Sequence, residues 1–241
     1  MQPIGASEMI INDRGAIYHL NVRPEEIADT IITVGDPERV AHVSKYFDKI
    51  EFQLSHREFI THTGYIGNKR ISVLSTGIGP DNIDIALNEV DALVNIDFES
   101  RTIKSAKKSL QIIRLGTSGS LQANIPVDSL VVSSFAIGLD NLMHYYAATN
   151  KEEEQQLLEA FNQHTQLVDK AIQPYIASSA TSLSKHFTSG FHHGITVTCP
   201  GFYGPQGRVL RAPLAQPQLI NQLSTFKHEQ HFISNFEMET S

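Results

Sequence analysis

Short runs of β-branched and apolar residues recur along the chain, separated by polar and amphipathic stretches. Strands that are buried on both faces are typically continuous apolar runs of this kind, so these segments predict buried strands. The runs occupy residues 30–34, 71–75, 111–115, 129–135 and 195–199.

Amphipathic patterns between some of these runs predict helices. One helix should begin after the Gly-Pro pair at 79–80, where apolar residues recur at helical spacing. A second should begin with Asp36 as its N-cap and Pro37 as its first helical residue. A third should cover roughly 151–173, with acidic residues at its start, where the helix dipole favours them. Strands that alternate with helices indicate an α/β fold, and without a repeat or linker we expect one domain over 1–241.

The bulk composition narrows the classes of function. The chain has 241 residues, 41% of them hydrophobic, which is enough for a sizeable core. Its formal net charge of -7 argues against a general binder of nucleic acid or membrane surfaces, which needs a basic excess. The single cysteine, Cys199, fits a reducing compartment, and we find neither a signal peptide nor a membrane-spanning apolar stretch. We therefore expect a soluble, cytoplasmic protein.

Two predicted strand ends carry glycine together with arginine. The segment TVGDPERV places Gly35 in a turn and Arg39 in the first turn of a helix, although alone it is also an ordinary helix start. The segment IRLGTSGS places Arg114 inside an apolar strand, followed by Gly116 and Thr117. Burying an arginine costs several kcal/mol unless it is paired, so we expect an anion or a carboxylate beside Arg114. Because neither loop has the GK[ST] ending of a P-loop, free phosphate is a more natural ligand than ATP.

Three other motifs are ambiguous when each is taken alone. Arg57 lies in SHREF, a strand-like stretch, and His19 lies in YHL; each is compatible with an exposed or structural role. In NFEMETS, Glu237 and Glu239 are two residues apart, so in an extended segment both face the same way. They could bind vicinal hydroxyls or act as acid and base, or they could simply end an exposed strand. The histidines show no convincing spacing for zinc.

The loop GFYGPQGR combines turn residues with planar groups. A connecting loop needs glycine and proline, but it does not need the aromatic ring of Phe202 beside the amide of Gln206 and the guanidinium of Arg208. This composition indicates a flat, polar ligand.

In this order, the motifs TVGDPERV, SHREF, STGIG, IRLGTSGS, FYGPQGR and FEMETS resemble the nucleoside phosphorylase-I family, and the resemblance extends from residue 18 to the last residue. Within the family, the chain is most similar to the enzymes that cleave uridine. The resemblance implies a single α/β domain whose central mixed sheet curls into a distorted barrel with helices around it. It also implies a symmetric dimer, often assembled into a hexamer, and reversible phosphorolysis of a nucleoside to free base and ribose 1-phosphate. No cofactor is implied beyond phosphate as co-substrate.

The resemblance assigns roles residue by residue. The positions that match its phosphate site are Gly35, Arg39, Arg57, Arg114 and Thr117. Arg57 would be lent across the dimer interface, and Thr117 would also lie near the ribose. The positions that match its ribose site are His19, Met238 and Glu239, with Glu237 beside them. His19 would come from the neighbouring subunit to the 5′-hydroxyl. The positions that match its uracil pocket are Phe202, Gln206 and Arg208.

Two departures from the family pattern qualify this assignment. The sequence ends at Ser241, whereas family members are expected to continue through a helix, a core strand and a closing helix. In purine-specific relatives that region carries an aspartate that protonates the base, so the choice of a pyrimidine rests on Gln206 and Arg208. The segment GIGPDN also differs from the usual motif; it puts Asn82, with Glu58 and Ile78, near a position that can help bind potassium.

Three alternative functions remain open at this point. The first is a purine nucleoside phosphorylase. The second is a nucleosidase that uses water, which would not need the arginines at positions 39, 57 and 114. The third is a nucleoside-binding homologue without catalytic activity.

Overall fold

The computed structural model describes residues 2–240 of the chain. These residues divide between Gly116 and Thr117 into two compact units, which we call the first unit and the second unit. Each unit has its own mixed β-sheet, so each is described by itself.

The first unit is built on a five-stranded sheet of order β2-β3-β4-β1-β7. The central strand β1 pairs in parallel with β4 and β7, whereas β2, β3 and β4 form an antiparallel meander. Two short strands, β5 and β6, form a separate ribbon. The strands of this unit are β1 (Thr30–Val34), β2 (Lys49–His56), β3 (Phe59–Ile66), β4 (Lys69–Ser75), β5 (Ile96–Asp97), β6 (Thr102–Ile103) and β7 (Gln111–Leu115).

Two α-helices and one 3-10 turn complete the first unit. They are α1 (Glu38–Ser44), α2 (Pro80–Asn95) and the turn Pro24–Glu26. Helix α1 packs on β3 and β4. Helix α2 buries one apolar face, including Val90 and Leu93, in a core that also contains Leu20 and Phe59. This is the amphipathic face that its sequence predicts.

The second unit is built on a six-stranded sheet in which β9, β11 and β13 run parallel. Strands β10, β12 and β8 pair with this parallel set in the antiparallel sense. The strands of this unit are β8 (Gly119–Ser120), β9 (Leu130–Gly138), β10 (Tyr175–Ser178), β11 (Phe191–Thr198), β12 (Lys227–His228) and β13 (His231–Glu237).

Helices α3 (Glu152–Thr165) and α5 (Leu219–Thr225) pack on β10 and β13 of the second unit. The short helix α4 (Thr181–Ser184) lies in the polar stretch before β11. Three 3-10 turns occupy Leu142–Tyr145, Val168–Lys170 and Gly204–Gln206. The core of the unit includes Phe161 and Phe226, whose rings meet edge to face with centroids 5.4 Å apart.

The structure confirms the α/β class, with mixed sheets and flanking helices. The apolar runs at 30–34 and 111–115 coincide with β1 and β7. Strand β9 continues past its predicted run to Gly138, and β11 begins before its predicted run, at Phe191, because pairing with neighbouring strands continues there. The expectation of a single domain over residues 1–241 stays a prediction. None of the helices in residues 2–240 is long and apolar enough to cross a membrane.

Two predicted helix boundaries differ from the observed ones. Helix α1 begins at Glu38, one residue later than predicted, but Asp36 still caps it, because its side chain accepts a hydrogen bond of 2.9 Å from the backbone N–H of Glu38. Helix α3 was predicted to reach residue 173 but ends at Thr165, where Gln166 adopts a left-handed conformation with φ of 53°. A left-handed residue ends a helix, and an isolated sequence gives little warning when that residue is not glycine.

Candidate active site

In the first unit, the parallel strands end side by side. Val34 at the end of β1 lies opposite Ser75 of β4 and Leu115 of β7. The loops that follow these strands therefore emerge at the same edge of the sheet, which we call the first-unit edge. Ligands of open α/β sheets bind outside the carboxyl ends of parallel strands, so this edge is a candidate site. Gly35 and Gly116 both follow strands that end there.

Gly35 lies against the neighbouring turn at the first-unit edge. A Cβ at this position would stand 3.5 Å from the carbonyl oxygen of Gly77, and the backbone N–H of Thr76 donates to Val34 at 2.8 Å. The turn leads directly into α1, so Arg39, which is half-buried, lies in the first turn of that helix. The N-terminus of α1 and the side chain of Arg39 therefore follow Gly35 closely in the sequence.

Arg114 lies in β7 directly opposite Thr33 of β1. Its guanidinium folds back over Gly116, since a Cβ on that glycine would overlap it. The side chain is half-buried rather than enclosed, because β7 lies at the edge of the five-stranded sheet. Its Nε is nonetheless shielded from solvent. The expectation of an anion or a carboxylate beside Arg114 stays a prediction.

Arg57 lies in the turn of the β2–β3 hairpin, not within a strand as SHREF suggested. It is exposed, with φ of 54°. Its guanidinium lies 5.7 Å from the centre of the Tyr18 ring, and Nη2 is 3.5 Å from the Tyr18 hydroxyl. Tyr18 in turn meets the ring of His19 edge to face at 4.9 Å. The structure thus brings together Arg57 and His19, the two residues that the family resemblance assigns to a neighbouring subunit.

Glu89, which the sequence did not single out, binds the segment that carries His19. Glu89 of α2 accepts a 2.6 Å bond from Nδ1 of His19, and it also accepts the backbone N–H groups of His19 and Leu20. Glu89 lies at the border of the apolar face of α2, and the pattern of the sequence gives no sign of its distant partner.

In the second unit, the three parallel strands also end together. Thr198 of β11 lies opposite Gly138 of β9 and Glu237 of β13. The acidic motif and the loop at 201–208 follow these strand ends. We call this position the second-unit edge, and by the same rule it is a candidate site.

Glu237 closes the turn that carries the acidic motif. Its carboxylate is buried and accepts hydrogen bonds from the Thr198 hydroxyl at 2.7 Å, the backbone N–H of Glu239 at 2.7 Å and that of Thr240 at 3.0 Å. Strand β13 ends at Glu237, so the expectation that Glu237 and Glu239 share one face of an extended strand is wrong. Glu237 shapes the turn, which leaves Met238 and Glu239 half-buried beyond it as the candidates for ribose binding.

The loop at 201–208 forms a compact planar cluster. The 3-10 turn Gly204–Gln206 ends in Gly207 with φ of 70°, a left-handed conformation that favours glycine. Gln206 is buried, and its side-chain oxygen accepts a hydrogen bond from Arg208. The Arg208 guanidinium also donates to the Phe202 carbonyl at 2.8 Å and lies 3.9 Å from the centre of the Phe202 ring. Arg208 therefore contacts both of the other residues that are predicted to bind the base.

Cys199 lies beneath this edge and is buried. Burial, reinforced by the nearby Glu237 carboxylate, raises the pKa of its thiol to about 12. A thiol with such a pKa is not a nucleophile at neutral pH, which argues against a role for Cys199 in the chemistry.

A buried polar network supports the start of the second unit. Asn235 donates from its side chain to the Ser118 hydroxyl at 2.9 Å and accepts from the hydroxyls of Thr196 and Ser234. Ser118 directly follows Thr117, an exposed residue that the resemblance assigns to phosphate. The sequence missed this network because Ser118, Thr196 and Asn235 are far apart along the chain.

The residues suggested for potassium do lie near one another in the first unit. A Cβ at Gly77 would meet both Glu58 and Asn82, and the Ile78 carbonyl accepts a 3.2 Å bond from the Asn82 side chain. That carbonyl is therefore already hydrogen-bonded, and potassium binding stays a prediction. Among residues 2–240, no group of three or more His, Cys, Asp or Glu side chains could hold a metal ion.

Comparison with known proteins identifies the family of this chain. The family model of the phosphorylase superfamily matches residues 29–241. The chain therefore belongs to the phosphorylase superfamily.

Individual relatives point to one branch of that superfamily. The chain is 28% identical over 235 residues to the uridine phosphorylase of Thermococcus kodakarensis, a match that covers 95% of this chain and 71% of the relative. It is also 28% identical to the uridine phosphorylase of Haemophilus influenzae, covering 93% of this chain and 77% of the relative. A solved structure, a Trypanosoma brucei nucleoside phosphorylase described as showing uridine phosphorylase activity, superposes with a TM-score of 0.88 at 33% identity. That match covers 97% of this chain and 84% of the other.

Proposed function

We propose that this protein catalyses the reversible phosphorolysis of uridine to uracil and ribose 1-phosphate, as a pentosyltransferase of nucleoside salvage. The observation that carries the choice of base is the cluster of Phe202, Gln206 and Arg208, in which a ring face and two planar hydrogen-bonding groups are already assembled. The similarity to proteins named uridine phosphorylase supports the same choice.

Phosphate binding is the role of the glycine and arginine residues near the first-unit edge. The backbone at Gly35 and the side chains of Arg39, Arg57 and Arg114 supply N–H donors and positive charge. The family resemblance also assigns the hydroxyl of Thr117 to phosphate. Arginine binds phosphate through charge-assisted, often bidentate, hydrogen bonds. Because phosphate is the nucleophile, no protein nucleophile is required, and catalysis consists of positioning and electrostatic stabilisation.

Ribose binding is the role of Met238 and Glu239, together with His19. Cleavage of an N-glycosidic bond builds positive charge on the ribose, and a carboxylate on its hydroxyls stabilises that charge. Glu237 acts through the backbone by holding the turn in which Met238 and Glu239 lie.

Base binding is the role of Phe202, Gln206 and Arg208. Phe202 offers a ring face, and the amide and guanidinium offer hydrogen bonds to the edge of uracil. The carbonyl oxygens of uracil become more negative as the base departs, so these bonds strengthen in the transition state. Interactions of that kind lower the barrier rather than merely tighten the binding of substrate.

The working enzyme in this proposal is a cytoplasmic homodimer or an assembly of such dimers. His19 and Arg57 lie together on one side of the first unit, which suits two side chains that are lent to the site of a neighbouring copy. Potassium at Glu58, Ile78 and Asn82 stays a secondary part of the proposal and has no step in the chemistry.

A phosphate-dependent assay on a panel of nucleosides tests the proposed function. We expect uracil release from uridine that requires phosphate and yields ribose 1-phosphate. Cleavage of inosine with uridine untouched would indicate a purine nucleoside phosphorylase instead. Release of base without phosphate would indicate a nucleosidase, and uridine binding by calorimetry without turnover would indicate a non-catalytic homologue.

A further inference from the structure

Glu89 gathers several donors from one short segment near the start of the chain. Its carboxylate accepts the backbone N–H of Leu20 at 2.8 Å and that of His19 at 3.1 Å to each oxygen. The same carboxylate lies 2.6 Å from Nδ1 of His19. The Glu89 side chain is only 13% exposed, so these contacts are largely shielded from water.

The backbone bonds decide which nitrogen of His19 carries the proton. A carboxylate that accepts two backbone N–H groups is best stabilised as the ionised form, which can only accept hydrogen bonds. Nδ1 of His19 must therefore donate to Glu89. In the neutral ring this leaves Nε2 as the acceptor, and the partner of one ring nitrogen thereby sets the role of the other.

Further contacts restrict the orientation of the His19 ring. The ring of Tyr18 meets it edge to face at 4.9 Å. The backbone carbonyl of His19 accepts a 3.0 Å bond from Nδ1 of His56. Together with Glu89, these contacts hold both the backbone and the side chain of His19.

We propose that Glu89 is a positioning residue, which keeps His19 in the Nδ1–H tautomer so that Nε2 can hydrogen-bond to the 5′-hydroxyl of the nucleoside. This inference rests on the proposed function, in which His19 binds that hydroxyl. The simpler alternative is that Glu89 only anchors the segment. The two backbone bonds would suffice for anchoring, but the bond to Nδ1 acts on the ring itself.

The test uses Glu89→Gln, which keeps the size of the side chain but removes its charge. An amide has one oxygen acceptor, which the two backbone N–H groups compete for, and its NH2 group can then donate to Nδ1 of His19. We expect the favoured tautomer of His19 to invert to Nε2–H. Asp91→Asn is the matched control, since it removes an exposed acidic charge from the same helix, away from His19.

Two nucleosides separate positioning from anchoring. We expect Glu89→Gln to lower kcat/KM for uridine roughly 10-fold, the effect of one hydrogen bond worth about 1.4 kcal/mol, and to leave 5′-deoxyuridine unaffected because it lacks the hydroxyl. The control variant should change neither value. An equal fall for both nucleosides would show a merely structural role, and unchanged values for both would also overturn the proposal.

Nitrogen-15 NMR of the histidines gives a readout that needs no activity. In the ligand-free wild-type protein, His19 should carry its proton on Nδ1, and in Glu89→Gln on Nε2, with His19→Asn used to assign the signal. The same tautomer in both proteins would overturn the proposal. If the wild-type protein cleaved neither nucleoside, the proposed function and the 5′-hydroxyl assignment would fail together, whereas the tautomer measurement would still decide whether Glu89 controls His19.

Discussion

The first-unit edge and the second-unit edge hold their arginine side chains in different surroundings. Both lie at the carboxyl ends of parallel strands, and both carry arginine. At the second-unit edge, Arg208 is already hydrogen-bonded to Gln206 and stacked on Phe202. At the first-unit edge, Arg114 is half-buried on an edge strand, and Arg57, on the hairpin turn of the same unit, is exposed.

The difference follows from the ligands that we propose for each edge. A flat base offers weak hydrogen bonds with strict geometry, so the residues that bind it gain most from being preorganised. Phosphate carries its own charge and forms strong, charge-assisted hydrogen bonds with arginine, so its binding depends less on a strict geometry. The comparison therefore predicts that substitutions in the first unit change the phosphate dependence, whereas those in the second unit change the use of nucleoside.

The largest effect should come from Arg114→Ala. Loss of a charge-assisted donor to phosphate costs about 2.7–4 kcal/mol, which corresponds to a fall in kcat/KM for phosphate of roughly 100- to 1,000-fold. Initial rates with phosphate varied at saturating uridine measure it. Arg114→Lys should fall between this variant and wild type, because lysine keeps the charge but loses the fork of donors. An unchanged phosphate dependence would count against an anion site at this edge.

Arg208→Ala should have the next largest effect, about 100-fold on kcat/KM for uridine, with little change in the KM for phosphate. The substitution removes the donor that stabilises the departing uracil and leaves the buried Gln206 oxygen without its partner. Arg211→Ala, an exposed arginine three residues further on, is the matched control. Near-normal kinetics for Arg208→Ala would remove its role in base recognition.

Glu237→Gln should act mainly on stability and on the ribose turn. The amide cannot accept all three donors that the carboxylate now accepts, so we expect a loss of about 1–3 kcal/mol in the free energy of unfolding. Urea denaturation measures this loss, with Glu229→Gln in an exposed turn as the control. If both variants were equally stable, Glu237 would not be the residue that holds the turn.

The smallest effect should be seen in the chemical labelling of Cys199. Because the pKa of its thiol is raised to about 12, the nucleophilic thiolate is scarce at neutral pH, and we expect almost no alkylation by iodoacetamide in the folded protein. Mass spectrometry should detect a single adduct after denaturation, since this is the one cysteine of the chain. Rapid labelling of the native protein would mean that the second-unit edge is less tightly closed than its contacts indicate.

Much of the local structure could be predicted from the sequence. The apolar runs at 30–34 and 111–115 located β1 and β7, and Asp36 marked the start of α1, because strand burial and helix capping depend on residues that are close in sequence. The residues assigned to the base are also close in sequence, and Arg208 contacts Phe202 and Gln206 around the short 3-10 turn Gly204–Gln206. The positions of Arg57 and Glu237 were less well predicted. The segment SHREF has no glycine or proline to mark the hairpin turn, and Glu237 bonds to Thr198, which is 39 residues away.

The sequence by itself determined the α/β class, the strand ends that carry glycine and arginine, and the order of motifs that marks the superfamily. Only the tertiary structure decided which groups meet. The bond between Glu89 and His19 joins residues 70 positions apart, and the contact between Thr198 and Glu237 joins residues 39 apart. Periodicity and capping describe neighbours along the chain, whereas these contacts depend on strand register and helix packing, which exist only once the sheets have formed.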